Sequence, residues 1–211
     1  MQETTSLRDS SDWPELAFVE REATPKPAMK LGIRLHLAGL SLSDTTSVLA
    51  GLGVQRCRTS VHNWIQKADL QPREGRSPDH VAVDETVIQV NDQRFWLYAA
   101  VDPATNRLLH VALYPNRTTA LSEMFLAELR EKYLVEDAIF LVDGAPWLQA
   151  ACHHLGFRFQ HVTHGNRNSV ERVSKEFKRR TKAFATHFRH AELETAETWL
   201  QAFAVCWNQL I

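Results

Sequence analysis

Three acidic residues sit where carboxylates carry chemistry. Asp84 interrupts an apolar stretch, Val81-Ala82-Val83-Asp84-Glu85-Thr86-Val87, where a buried carboxylate is costly unless paired or bound to a cation. Asp143 closes a second run, Ile139-Phe140-Leu141-Val142-Asp143, and Gly144 leaves room for close approach of a ligand. Open α/β sheets place their sites at the carboxyl ends of buried strands. Glu171 follows Gly165-Asn166-Arg167-Asn168 and falls in the first turn of a predicted helix. Lys175, Lys178 and Arg179 follow it at i+4, i+7 and i+8, on the same side.

If the strands carrying Asp84 and Asp143 are neighbours, the two carboxylates repel each other unless a divalent ion lies between them. Oxygen ligands favour a hard ion, Mg²⁺ with Mn²⁺ as substitute. Metal carboxylates beside a row of cations suit a phosphodiester held next to two ions. Each acid alone has a bland account, as a strand-edge residue, a turn residue or a partner of a helix N-terminus. All three accounts holding together, in this order along the chain, is much the weaker reading. Glu85 alternates to the opposite strand face from Asp84. Asp102 precedes Pro103 in a predicted turn and reads as structural. Cys152, His153, His154, His161 and His164 lack the spacing of a zinc finger.

The elements that must position these acids are legible from periodicity. Val81–Val90, Arg94–Val101 and Arg107–Leu113 read as strands separated by turns at Asn91-Asp92 and Asp102–Asn106, an antiparallel meander. A helix over Thr118–Tyr133 leads to a short buried strand, Ala138–Val142, suited to parallel pairing. Pro146–Leu155 reads as a helix, Phe157–Val162 as a strand, and Ser169 to about His187 as a helix. A last helix spans Glu192–Ile211; its Trp199, Phe203 and Trp207 pack on the sheet or, in the less favoured reading, meet a partner. The order implies an α/β domain with a mixed sheet flanked by helices.

Ahead of it stands a small all-α module. Leu31–Leu37 begins a helical pattern, and Ser41 or Ser43 can cap a second helix, Asp44–Ala50, with Val48 and Leu49 facing inward. Thr59 or Ser60 can cap a third carrying Val61, Trp64 and Ile65. This is the outline of a helix-turn-helix, and its third element offers Arg58, Thr59, His62, Asn63, Gln66 and Lys67 to phosphates and base edges. The organisation expected is an acidic, mobile or loosely docked leader (1–28), the helix-turn-helix (29–70), a linker (71–79), the catalytic domain (80–190) and the last helix (191–211).

The formal net charge of −1 over 211 residues argues neither for nor against nucleic acid, but its distribution does argue. Met1–Glu22 holds six acids against Arg8 and Arg21, whereas Arg158–His190 holds nine Lys and Arg against Glu171 and Glu176. A basic stretch of that length binds a polyanion locally even in a neutral chain. Lys175, Lys178, Arg179 and Arg180 are its candidate contacts. No apolar run is long enough for a membrane span, and the three scattered cysteines fit a reducing cytoplasm better than a disulfide framework.

These motifs resemble the DDE-type transposases of insertion-sequence family six of bacteria and archaea. The resemblance rests on Leu40-Ser41-Leu42-Ser43-Asp44 through Ser60-Val61-His62-Asn63-Trp64-Ile65-Gln66-Lys67, and on Val83-Asp84-Glu85-Thr86 with Phe95-Trp96-Leu97-Tyr98-Ala99-Ala100-Val101-Asp102. Its third part is Asn168-Ser169-Val170-Glu171 with Phe177-Lys178-Arg179-Arg180-Thr181. It implies a ribonuclease-H-like fold, a catalytic triad of Asp84, Asp143 and Glu171, and two Mg²⁺ ions. It also implies terminal inverted repeats and target DNA as partners, replicative movement through cointegrates, and action in a prokaryotic cytoplasm, associated with the nucleoid. Joining two ends calls for a homodimer or higher oligomer. The chain departs from the family in Asp143-Gly144-Ala145 and in the 27 residues between Asp143 and Glu171, fewer than is usual there. The alternatives are a decayed transposase that only binds DNA and a ribonuclease-H-like nuclease that cleaves without joining.

Overall fold

The sheet is built around strands buried on both faces. The computed structural model describes residues 13–18, 24–162, 170–172, 174, 175, 188 and 191–210. Five strands pair in the order β3-β2-β1-β4-β5: β1 (His80–Val90), β2 (Gln93–Asp102), β3 (Arg107–Tyr114), β4 (Ile139–Val142) and β5 (Arg158–His161). β1, β2 and β3 form an antiparallel meander, while β4 pairs parallel to β1 and β5 parallel to β4. Asn91 and Asp92 join β1 to β2 with φ of 46° and 62°, the left-handed pair that matches strand twist in a tight hairpin. Asp102 ties the next turn, accepting from Ala104 N at 2.9 Å and Thr105 Oγ1 at 2.6 Å, the structural role expected of it.

Alternation divides β1 between two cores. Val81 and Val83 face α4 (Thr119–Lys132) and α5 (Pro146–His154), with Phe125, Leu129 and Leu148. Ala82, Ile88 and Val90 face the other side, with Trp199 and Phe203 of α6 (Leu193–Leu210) and Ile33, Leu49 and Trp64 of the N-terminal helices. Strands covered on both faces read as continuous apolar runs, which is what this sequence displays.

The N-terminal helices are α1 (Lys26–Ala38), α2 (Leu42–Gly51) and α3 (Arg58–Ala68). α1 starts earlier than its apolar pattern, with Pro27 in the first turn, where a missing N–H costs nothing. Ser41 caps α2 by accepting from Asp44 N at 3.0 Å. Only one of the two residues expected to face inward does so: Leu49 is buried with Thr45, one turn before it, and Val48 is 41% exposed. α3 buries Val61, Trp64 and Ile65 as expected, but its N-cap is Cys57, so Thr59 and Ser60 lie inside the first turn. The segment 13–18, expected in a loosely held leader, drives Trp13 and Leu16 into the core.

The last helix covers the sheet rather than presenting a free apolar face. Trp199 and Phe203 stack at 5.5 Å inside the core, and Trp207 Nε1 donates to Asn106 O. Its amides also finish the open edge of β3. Asn208 bonds both Leu108 N (2.7 Å) and Leu108 O (2.8 Å), and Gln201 donates to Val111 O (2.7 Å). Side-chain amides thus occupy backbone groups that an added strand would otherwise take.

The three helices pack closely at Gly32, where an added Cβ would lie 2.9 Å from Trp64 Cζ3 and 3.1 Å from Leu49 Cδ1. Trp64 is fully buried and has nowhere to retreat. Gly32→Val is therefore expected to cost about 1–3 kcal/mol by overpacking. Thermal melting reads this as a fall of several degrees; an unchanged melting temperature would show that α1 does not pack against Trp64.

Candidate active site

The pairing of β1 with β4 brings two of the predicted acids to one place. The ladder matches His80 with Ile139, Val81 with Phe140 and Ala82 with Leu141. Carried two residues further at the same offset, it sets Asp84 beside Asp143. Both continue the face of Ala82 and Leu141, which belongs to the core shared with α6. Both are half-buried. Asp143 sits one residue past the end of β4, where its Oδ1 accepts from Ala145 N at 2.9 Å and its carbonyl accepts from Gln149 Nε2 at 3.0 Å. These bonds fix the turn into α5. A Cβ on Gly144 would meet only His161 Nε2, at 3.6 Å, an ordinary contact, so the backbone here does not demand glycine.

Glu85 was set aside in the sequence because it alternates away from Asp84. The face assignment holds, but the residue belongs to the site. It is half-buried on the α5 side, and Trp147 Nε1 donates to its Oε1 at 3.0 Å. Its Oε2 is buried with no hydrogen-bond partner. Burial first, then the charges of Asp143 and Asp84, push its carboxyl up to about 7, against the lowering effects of Trp147 and Arg117. Three carboxylates therefore share one stretch of sheet and sense one another's charge.

Arg117 was also missed. It is exposed in the connection between β3 and α4, and its guanidinium lies 4.0 Å from the Trp96 ring centre and 4.6 Å from that of Trp147. Two indoles hold the cation beside the acids. A signal existed in the sequence, a Glu next to an Asp in an apolar strand, but its partner Trp147 lies 62 residues away.

Val170 is fully buried in the core that Ala82 and Leu141 share, and Glu171 and Arg172 after it are exposed. Arg172 reaches Asn106 at 3.3 Å. The turn is thus anchored on the same sheet face as Asp84 and Asp143. Among the described residues, no three His, Cys, Asp or Glu side chains stand close enough together to hold a metal ion. The donors fit a divalent cation in chemistry, since they are all carboxylate oxygens, and the charges of Asp143 and Asp84 add to burial in raising the Glu85 carboxyl. Lys175 is exposed; Lys178, Arg179, Arg180 and His164 lie outside the described residues.

On α3, Arg58, Thr59, Asn63 and Lys67 are exposed, with Thr59, Asn63 and Lys67 in one i, i+4 row. His62 is half-buried, and burial lowers its pKa. Gln66 turns toward α6, donating to Thr195 O at 3.3 Å, and so leaves the face expected of it. Cys152 is buried, its thiol pushed up to about 12, and His154 pairs with Glu123 at 2.6 Å.

Residues 79–209 match the family model DDE_Tnp_IS240, described as a DDE domain. The chain belongs to this DDE transposase family. The match begins just before β1 and runs almost to the end of α6, so it includes all three acids. The chain is also 30% identical over 176 residues to the uncharacterized protein MJ0017 of Methanocaldococcus jannaschii, covering 82% of each. A shorter match, 43% over 58 residues, joins 27% of the chain to 48% of the uncharacterized protein aq_aa24 of Aquifex aeolicus. Among solved structures, the catalytic core of BIV integrase aligns at 18% identity and TM-score 0.45, over 59% of this chain and 80% of that one. The HTLV-2 integrase core in complex with magnesium aligns at 14% and 0.45, over 61% and 85%. The DDE domain here has the mixed, five-stranded ribonuclease-H-like sheet that the sequence implies. Among the described residues no helix is long and apolar enough to cross a membrane.

Glu85 gives the domain a pH dependence. A carboxyl raised in the folded state leaves the chain most stable while both states are protonated, below the ordinary value near 4.5. That contribution is lost as pH rises toward about 7, where the folded carboxyl is forced to ionise. Glu85→Gln removes the loss, so in metal-free buffer its melting temperature should gain on the wild type between about pH 5 and 7. Parallel melting curves for the two proteins across that range would sink the assignment.

Proposed function

We propose that this DDE domain is the catalytic core of a DNA transposase that cleaves and joins DNA strands at the ends of an insertion sequence. The observation that carries the reading is the β1–β4 register, whose offset sets Asp84 beside Asp143 on the sheet face where Val170 anchors the turn bearing Glu171. Asp84, Asp143 and Glu171 are the proposed ligands of two Mg²⁺ ions, with Mn²⁺ as substitute. When bound, such ions activate the attacking oxygen and stabilise the leaving one in an in-line displacement at phosphorus.

The chain's own residues do the rest. Asp84 is carried within β1, and Asp143 follows the last residue of β4 in a turn fixed by bonds to Ala145 N and Gln149 Nε2, so neither carboxylate hangs on a free loop. Asp143 is oriented further by Ala145 N, which donates to its Oδ1. Arg117, fixed between Trp96 and Trp147, offsets the local negative charge and offers its edge to a phosphate. Lys175, Lys178, Arg179 and Arg180 grip the DNA backbone beside Glu171. The helix-turn-helix of α2 and α3 recognises the terminal inverted repeats through Arg58, Thr59, His62, Asn63 and Lys67. Two ends must be held together for joining, so the working form is a dimer or larger assembly on DNA, with target DNA as the second substrate.

The deciding experiment incubates the protein with a pre-cut element end, target DNA and Mg²⁺, beside Asp84→Asn and Asp143→Asn. Metal-dependent joined products are expected from the wild type, with end binding retained in both variants. Joining should fall more than ~100-fold in each, beyond the loss typical of outer-shell partners of a metal. Cleavage without joined product would make the chain a nuclease. Binding without metal-dependent chemistry, where a paired complex forms, would make it a DNA-binding relic.

A further inference from the structure

A cavity of about 320 Å³ opens where the N-terminal segment, the linker and the β3 edge of the sheet meet. Four arginines line it: Arg34 from α1, Arg73 and Arg76 from the linker and Arg107 from the start of β3. No Asp or Glu is among its described lining residues. Arg34, Arg76 and Arg107 make no side-chain hydrogen bond or ion pair among the described residues. Arg34 lies over the Trp13 ring at 5.3 Å, and the buried Nε1–H of Trp13 has no acceptor among the described residues.

The other polar groups do not answer this charge. Asn208 spends its amide on the Leu108 backbone, and the Tyr133 hydroxyl donates to Leu109 O. Of the neighbouring carboxylates, Glu15 is held by Lys30 at 3.2 Å, and Glu74 is exposed in the linker without lining the cavity. The cavity therefore presents an excess of donors, three of them planar guanidinium forks without a hydrogen-bond or ion-pair partner among the described residues, converging from separate elements. Such a set repels itself when empty and matches a tetrahedral oxyanion, whose oxygens accept paired N–H bonds from several directions.

We propose that this cavity is a phosphate site, and that its occupant is a backbone phosphate of DNA running from the N-terminal helices to the catalytic sheet. The choice of DNA rests on the transposase reading above; the anion chemistry does not. The site joins α1, the linker and β3, so a bound strand would tie the end-binding helices to the sheet that carries Asp84.

The test uses the full chain in EDTA, so it is independent of catalysis. Arg76→Gln with Arg107→Gln is compared with the wild type and with Arg94→Gln, an exposed arginine on the β1–β2 hairpin. Inorganic phosphate should raise the melting temperature of the wild type over chloride at equal ionic strength, and this gain should vanish in the double variant. The slope of log affinity against log salt for a duplex oligonucleotide should fall by roughly 1.8, the share of two phosphate contacts. Arg76→Lys with Arg107→Lys keeps the charge and loses the forks; it should retain most of the slope but lose most of the phosphate response, which also guards against misfolding of the first variant. Unchanged slope and unchanged phosphate response would overturn the site. A lost phosphate response with an unchanged slope would make the ligand a free phosphate compound and overturn the DNA assignment. An equal effect from Arg94→Gln would overturn it too. Failure of the transposase reading would appear separately, as absence of joining in Mg²⁺.

Discussion

Like charges held together in a partly buried sheet are the constraint on which this molecule turns. Asp84, Glu85 and Asp143 stand at the centre of the sheet, and the charges of the two aspartates add to burial in lifting the Glu85 carboxyl to about 7. A carboxylate leaves water at a cost of several kcal/mol unless something compensates. The protein compensates on the α5 face with an indole hydrogen bond from Trp147 and with Arg117, itself clamped between two aromatic rings. On the other face Asp84 and Asp143 share the surface toward which the turn bearing Glu171 is anchored through Val170. The asymmetry is informative. A fixed organic cation serves one side, while the other side carries the two aspartates proposed above as metal ligands.

That arrangement depends on rigidity supplied from a distance. β1 is covered on both faces, so its register against β4 cannot slip by one residue without sending Asp84 to the wrong side and Ala82 out of its core. The face toward α6 is closed by elements from both ends of the chain: Trp199 and Phe203 from the last helix meet Ile33, Leu49 and Trp64 from the first three. The helix-turn-helix outline and the catalytic sheet are therefore parts of one core. The linker between them is pinned as well, through Gly75 N to Lys132 O, Leu134 N to Arg76 O and Ile139 N to Asp79 O. Helix α3, mounted this way, has a fixed bearing on the acids.

Much of this was legible in the residues, for reasons that also explain what was not. Strand and helix identities followed from long periodic runs, and the burial of Val61, Trp64 and Ile65 followed from helical spacing. Asp84 and Asp143 stood out because each sits in or closes a buried apolar strand. Details decided by contacts distant in sequence were hidden. Val48 and Thr45 are a fraction of a helical turn apart, and only the placement of α1 and α3 selects Thr45. The cap of α3 falls on Cys57 because the helix starts before the Ser and Thr that would ordinarily signal it. Trp13 and Leu16 carry no periodicity, yet they fill space left by α1. Glu85 was read correctly for its face, but its hydrogen bond was hidden, since alternation says where a side chain points and nothing about the Trp147 it will find there.

A net charge of −1 conceals a strong local order, and that order resolves how a near-neutral chain could manage a polyanion. The negative charge that can be placed in the sheet is concentrated at one point, where Asp84, Glu85 and Asp143 gather. Positive charge lies on its flanks, with Arg117 on one side and Arg34, Arg76 and Arg107 at the β3 edge. On the transposase reading, DNA approaching such a surface would be repelled at the spot where metal would sit and attracted by the arginines around it. Binding and metal loading then favour each other, because each ion that neutralises the acids also removes the repulsion felt by the phosphate. A uniformly basic surface would bind DNA more tightly but could not use the metal to mark the place where a strand should lie.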